Sequence, residues 1–381
     1  MKVLFLANEY PPNVYGGAGV HLKNLSRELA KIIPSVEVRY FGSDERHDGS
    51  IKVKGYRPWE YLDCKMNPKF NSALRTLSIN LAWLSDGVDA DIVHTHTWYA
   101  HFAGYLAKML YKCKFIATSH SIEPLRPWKY DQLGEAYTLS SWMEKVGLEN
   151  ADRVVAVSKM MREDILKYFN ISPDKVVVIH NGIDLNVWKP TPISNELKET
   201  YGIKDDYILF VGRPTKQKGM EYLVAAADYI DVQIVFAAVG ADTKEYEDEM
   251  KRKVAEKKNI LWINKMLKEE EYVQLYSSAK VFVCPSIYEP FGIINLEAMS
   301  CETPVVASAV GGILEVVVHE ETGLLVEPGN PKQIAEAVNR LLKDENLRRK
   351  LGKNGRERVE KYFSWERIAQ QTKALYEEVL L

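Results

Sequence analysis

Short apolar runs rich in β-branched residues alternate along the chain with stretches whose apolar positions recur at helical period. Unbroken apolar runs are what strands buried on both faces require, and the intervening helices supply the layers that cover them. The pattern therefore predicts α/β architecture with parallel sheets. In the first half, strands are predicted at Lys2–Ala7, Val36–Phe41, Ile92–Thr95, Phe115–Thr118, Val154–Val157 and Val176–Ile179, with helical patterns such as Val20–Ile33 and Tyr137–Glu149 between them. The rhythm restarts at Ile208–Val211, Gln233–Ala237, Ile260–Ile263, Lys280–Val283 and Pro304–Ala307, and the tail from Pro331 to Leu381 reads as nearly all helix. Between the halves, Lys189–Asn195 carries two prolines and no hydrophobic period, which marks an interdomain linker. The expected division is 1–187 and 188–363, with a last helix at about 364–381 returning to the first domain. In paired sheets of this kind, a ligand belongs where the C-terminal strand ends of the two halves face each other.

At 381 residues the chain suits two such domains. A formal net charge of −2 supplies no field to hold a polyanion, so no nucleic-acid partner is expected, although a local basic pocket for a nucleotide is compatible with it. The apolar run Val3–Ala7 is too short for a signal peptide and no stretch reaches the ~20 apolar residues of a membrane span, so a cytoplasmic protein without a membrane partner is expected. Cys64, Cys113, Cys284 and Cys301 show no C-x-x-C pairing and read as reduced thiols.

Three strand-to-helix junctions hold the candidate chemistry. In Cys284–Met299 a strand ends, two prolines follow, and a helix opens near Gly292. The backbone amides of Gly292, Ile293 and Ile294 and the positive end of the helix suit a diphosphate, which the missing side chain of Gly292 lets approach closely. Glu289 and Glu297, eight residues apart across the junction, can reach opposite ends of a ligand laid over the helix start. In Phe210–Gly219, Arg213 and Lys218 can clamp one anionic group, the first as a planar fork and the second as a mobile point charge. In Asn8–His21 the glycines, Gly17 among them, read as a lid reaching toward donor phosphates, with Glu9 on the acceptor side; the G-x-G-x-x-G dinucleotide spacing is absent.

His94 and His96 share one strand face, but no cysteine or carboxylate completes a metal shell nearby, so no metal is expected and these rings read as structural or substrate-facing. His120, directly after a strand, is the candidate for a hydrogen bond to a sugar hydroxyl. Arg126, Trp128 and Lys129 share a proline-bearing loop, where two cations beside an aromatic ring suit a phosphorylated sugar.

Taken together, these motifs resemble the GT-B glycosyltransferases, specifically the retaining families built around a Glu-x7-Glu pair, over nearly the whole chain. Glu289 and Glu297 match that pair, Gly212-Arg213 with Lys218-Gly219 matches the basic clamp, and His180-Asn181-Gly182-Ile183-Asp184 matches a recurrent interdomain segment that places Asn181 beside the donor. Pro11-Pro12 followed by Tyr15–His21, and Glu123–Lys129 followed by Leu139–Trp142, look like a short glycogen synthase-like branch. Members of that branch use ADP-glucose to extend an α-1,4-glucan or to convert glucose 1-phosphate to maltose 1-phosphate. Larger bacterial glycogen synthases carry a lysine before the glycine pair, where this chain has Val14 and Tyr15.

The resemblance implies two Rossmann-like domains across a cleft and retaining glucosyl transfer from ADP-glucose, or UDP-glucose, to a carbohydrate acceptor without a metal or other cofactor. Arg213, Lys218 and the helix amides would meet the leaving diphosphate, Glu289 the glucose hydroxyls, and Glu297 the ribose. A retaining enzyme with another donor or acceptor, a sugar-nucleotide epimerase, and a non-catalytic binder are the competing readings.

Overall fold

The computed structural model describes residues 1–14, 16–62 and 65–381, so Tyr15 and Cys64 lie outside the described residues. The chain divides into two compact units, one made of Met1–Asn181 with Trp365–Leu381, the other of Gly182–Ser364.

The first unit is built on an eight-stranded sheet whose spatial order is Glu45–Asp48, Ile51–Tyr56, Ser35–Phe41, Lys2–Ala7, Ile92–His96, Lys114–Ser119, Arg153–Ala156, Val176–Val178. Every neighbouring pair is parallel except the outermost, Glu45–Asp48 against Ile51–Tyr56. Lys2–Ala7 pairs on one side with the next strand in sequence and on the other with Ile92–His96, so the connections reverse direction there. The helix Trp365–Leu380 covers this sheet. Its Trp365, Ile368, Tyr376 and Val379 share one buried cluster with Val3, Phe5 and Val38.

The second unit carries a six-stranded, all-parallel sheet in the order Ile260–Ile263, Gln233–Ala238, Tyr207–Gly212, Val281–Cys284, Val305–Ser308, Gly323–Val326. Its reversal lies between Tyr207–Gly212 and Val281–Cys284. Crossover helices leave on opposite faces at such a point, opening a crevice beyond the strand ends where ligands of doubly wound sheets bind.

Two expectations need correcting. The segment Lys189–Asn195 is not a free linker, because the chain crosses between units at Asn181–Gly182 and this segment lies wholly in the second unit. Its Thr191 and Ile193 amides donate to Ser277 and Ser278, and the Ser194 amide to Gln274, so prolines here shape a strap along the helix Glu269–Ser278. The glycines after Val14 do not form a lid either. Gly17 starts a helix that runs to Leu29, and Gly19 packs so tightly that a Cβ would stand 2.7 Å from a Glu9 carboxylate oxygen. Among the described residues no helix is long and apolar enough to cross a membrane, and Cys113, Cys284 and Cys301 are buried and unbridged.

Candidate functional site

In the second unit the crevice is built from two loops, one after each of the strands flanking the reversal. After Tyr207–Gly212 the chain makes one tight turn, Lys216–Lys218, capped by Thr215, whose side chain accepts from the Lys218 amide. After Val281–Cys284 it runs through Pro285–Phe291 to the helix Ile293–Ser300. The Ile287 amide donates to the Gln217 carbonyl at 3.0 Å, joining the loops backbone to backbone. Gly219 sits in the left-handed region at φ 65°, where a Cβ would fall 2.0 Å from the Pro285 carbonyl oxygen. Only glycine permits that approach.

The joined loops bring Lys218 Nζ to 2.7 Å from Glu289 Oε2. Both groups are well covered, with side-chain exposures of 21% and 7%. Burial works against the lysine's charge, but the facing Glu289 carboxylate outweighs it and the Lys218 pKa is raised, so the ammonium persists. Ser286 Oγ also donates to Glu289 Oε2, at 3.3 Å. Arg213 stands apart from this pair. It is half exposed and donates to Asp242 at 2.9 Å. The two basic residues therefore have different settings, Lys218 inside the crevice and Arg213 at its rim.

The helix that opens at Gly292, itself at φ 91°, leaves the amides of Ile293 and Ile294 without partners inside the helix, as at any helix start. One turn further in, Glu297 accepts from the Tyr276 hydroxyl at 3.0 Å. Burial pushes the Glu297 pKa up to about 7, with the Tyr276 hydrogen bond opposing it. If Glu297 accepts hydroxyl hydrogens from a donor nucleotide, only its ionised form offers every lone pair, and binding pulls the pKa down. The Michaelis constant for the donor is then expected to rise severalfold as pH falls through about 7. Glu297→Gln should flatten that profile; a profile unchanged by the substitution would remove Glu297 from donor binding.

One support was not read from the sequence. The backbone carbonyl of Glu289 accepts from the Gly312 amide at 2.9 Å. Gly311, at φ 55°, lies so close that a Cβ would stand 2.0 Å from the same oxygen. The loop after Val305–Ser308 thus fixes the backbone that carries Glu289. The available signal was the Gly311-Gly312 pair two residues after a buried strand.

In the first unit, polar residues gather at the C-terminal ends of the strands beside that sheet's reversal. His96 ends its strand, His120 follows the next one, and His21 comes from the helix after Lys2–Ala7. His96 Nδ1 and His120 Nε2 are 3.0 Å apart, and His21 packs edge-on against His120 with ring centroids 4.8 Å apart. Burial lowers all three pKa values, that of His21 to about 4, so the rings are uncharged near neutrality. Sequence spacing paired His94 with His96. In the structure His94 is satisfied on both nitrogens, by Tyr376 at 2.6 Å and Thr118 at 2.7 Å, and His101 bonds Thr95. The association of His96 with His21 and His120 joins three distant segments and has no sequence signal.

Other expected site residues of this unit are engaged inside it. Asn181 Oδ1 is 2.6 Å from His21 Nδ1, so its side chain orients that ring and does not stand free beside a donor. Glu9 Oε2 accepts from the Gly16 amide at 2.9 Å, which orders the start of the first helix. Lys129 is buried, donates to Glu123 Oε1 at 2.8 Å and lies over the rings of Trp98 and Tyr99. Burial lowers its pKa. Lys129 is therefore an internal ion pair and not a mobile phosphate ligand, and the sequence reading of its role is corrected. Its neighbour Trp128 caps the short helix Lys129–Leu133. Arg126 is different. Its side chain donates to Ser121 Oγ at 3.3 Å, while its Nε is buried without a partner among the described residues. A buried guanidinium hydrogen with nothing to donate to is costly and marks a place for an anion.

Comparison with known proteins agrees with this layout. The family model for Glycosyltransferase Family 4 matches residues 15–187, and that for Glycosyl transferases group 1 matches residues 194–358. The alpha-maltose-1-phosphate synthase of Mycolicibacterium smegmatis is 43% identical over the full length of both chains. A glycogen synthase of Mycobacterium tuberculosis is 27% identical, covering 99% of this chain and 94% of its own. Among solved structures, sucrose-phosphate synthase from Thermosynechococcus elongatus superposes with a TM-score of 0.82 at 26% identity, covering 100% of this chain and 99% of its own. A full-length relative at that identity, with two glycosyltransferase family models in tandem, settles the assignment: the chain belongs to the GT-B glycosyltransferases, in the family that includes the alpha-maltose-1-phosphate synthases.

Proposed function

We propose that the chain transfers glucose from ADP-glucose, with retention of anomeric configuration, to glucose 1-phosphate through an α-1,4 link, giving maltose 1-phosphate. The observation that carries the transfer chemistry is the partly buried Lys218–Glu289 pair beside a helix start at the sheet reversal. Lys218, with Arg213 at the rim and the amides of Ile293 and Ile294, meets the charge that develops on the departing diphosphate. Glu289 binds glucose hydroxyls and favours positive charge at the anomeric carbon. Glu297 takes the ribose, and His120, uncharged, hydrogen-bonds the transferred sugar. UDP-glucose as donor and a glucan as acceptor are the alternatives that competition assays separate.

The acceptor reading rests on the full-length maltose-1-phosphate synthase relatives and on Arg126, whose buried Nε lacks a partner among the described residues. Arg126→Ala should raise the Michaelis constant for glucose 1-phosphate by on the order of 10-fold, the loss of one charge-assisted hydrogen bond, while the constant for maltose or glycogen changes little. Equal changes for every acceptor would remove Arg126 from phosphate recognition.

We further propose that the reaction needs no metal, because Lys218, Arg213 and helix amides supply the positive charge a leaving diphosphate requires. Activity should persist after exhaustive chelation with EDTA. Loss on chelation and recovery with Mg2+ or Mn2+ would contradict this. Three buried thiols are consistent with a cytoplasmic setting.

A further inference from the structure

We infer that His21, His96 and His120 form a binding site for a nitrogen-preferring transition ion, Zn2+ or its substitute Co2+, whose occupancy inhibits transfer. One ring nitrogen from each histidine lies within 4.8 Å of the other two. His96 Nδ1 and His120 Nε2 share a hydrogen bond of 3.0 Å, close to the about 3.3 Å that two ligands span on a tetrahedral ion with Zn–N bonds of about 2.0–2.1 Å, and an ion there displaces the shared hydrogen to the far nitrogen of its ring. His21, within 4.8 Å of the other two, must move inward to join them. Its Nδ1 is held by the Asn181 side-chain oxygen, which fixes the hydrogen on Nδ1 and leaves Nε2 with its lone pair for a ligand. That is the outer support metal-binding imidazoles ordinarily have.

The second observation is an absence of partners. His21 is 2% exposed, and its Nε2 is buried with no hydrogen-bond partner among the described residues. Buried polar atoms left in this way are rare and call for an explanation. His94 in the same strand shows the contrast, with both nitrogens satisfied. Among the described residues no carboxylate belongs to the cluster, so the donor set suits Zn2+, Co2+, Ni2+ or Cu2+ and not Mg2+ or Ca2+. His120 is the least covered of the three. The inhibitory part rests on the proposed contact of His120 with the transferred sugar: an ion that takes the ring nitrogen removes it from the sugar.

The test is titration of metal-free, full-length protein with Co2+, following visible absorption, and then displacement by Zn2+. One equivalent per chain with the intense spectrum of a low-symmetry, tetrahedral site is expected. His21→Gln and His96→Gln should each abolish it in chains whose circular dichroism is unchanged, whereas the double replacement of the exposed His47 and His319 by Gln should not. Absence of stoichiometric binding, or its loss in the exposed-histidine variant, overturns the site. If the triad variants fail to fold, nitrogen-15 histidine spectra of the wild-type protein decide: three of its eight imidazoles should shift with one equivalent of Zn2+, and a different set or none overturns the site. Stoichiometric Zn2+ should also suppress turnover, reversibly on adding EDTA. Tight binding with full turnover would overturn the inhibitory claim while leaving the glucosyl-transfer reading standing.

Discussion

Lys218→Ala is expected to lower kcat by on the order of 10²–10³-fold, with a much smaller change in the Michaelis constant for the donor. The expectation follows from where the charge sits. Lys218 is within the crevice and kept ionised by Glu289 at 2.7 Å, so it is already aimed where a leaving diphosphate would gather charge and needs no reorganisation to respond. Arg213→Ala should cost less, roughly 10-fold, because Arg213 is half exposed, paired with Asp242 and screened by water. Removing Lys218 also leaves Glu289 buried without its partner, so thermal unfolding must be compared in parallel and Lys218→Arg included. Steady-state kinetics check the claim. A Lys218→Ala enzyme with normal kcat and only weaker donor binding would show that the lysine holds the ground state alone.

Gly311→Ala is expected to reduce kcat on the order of 10²-fold although Gly311 carries no reactive group. An added Cβ would stand 2.0 Å from the Glu289 carbonyl oxygen at a left-handed backbone position, so either the Glu289 backbone or the Gly311 loop must move. Glu289 would then lose its register with Lys218 and with the start of the helix at Ile293. The measurement is kcat beside the melting temperature. A variant that is less stable but turns over normally would mean the loop supports the fold without positioning Glu289.

The sheets were largely legible because strands buried on both faces read as unbroken apolar runs. Lys2–Ala7, Tyr207–Gly212 and Gln233–Ala238 stand within a residue of where the pattern puts them. The strands that escaped have other physics. Glu45–Asp48 is a charged edge strand exposed to water, and its partner Ile51–Tyr56 alternates apolar with polar residues up to a glycine. Gly323–Val326 is four residues long and begins with a glycine. In the site, the position of Lys218 and Glu289 after successive strand ends was readable as a pattern. Their contact was not, since it depends on two loops 71 residues apart being joined at Ile287 and Gln217. Lys129 shows the opposite failure. A lysine in a proline-bearing loop reads as a solvated cation, and only the fold reveals Glu123 beneath it.

The central claim is the transfer of glucose from ADP-glucose to glucose 1-phosphate. Its most direct test is incubation of the purified enzyme with these two substrates in the presence of EDTA, followed by proton NMR of the product. ADP release matched by maltose 1-phosphate bearing a new α-1,4 linkage is expected. ADP release only when glycogen or maltose is supplied, or a new β linkage, would contradict it.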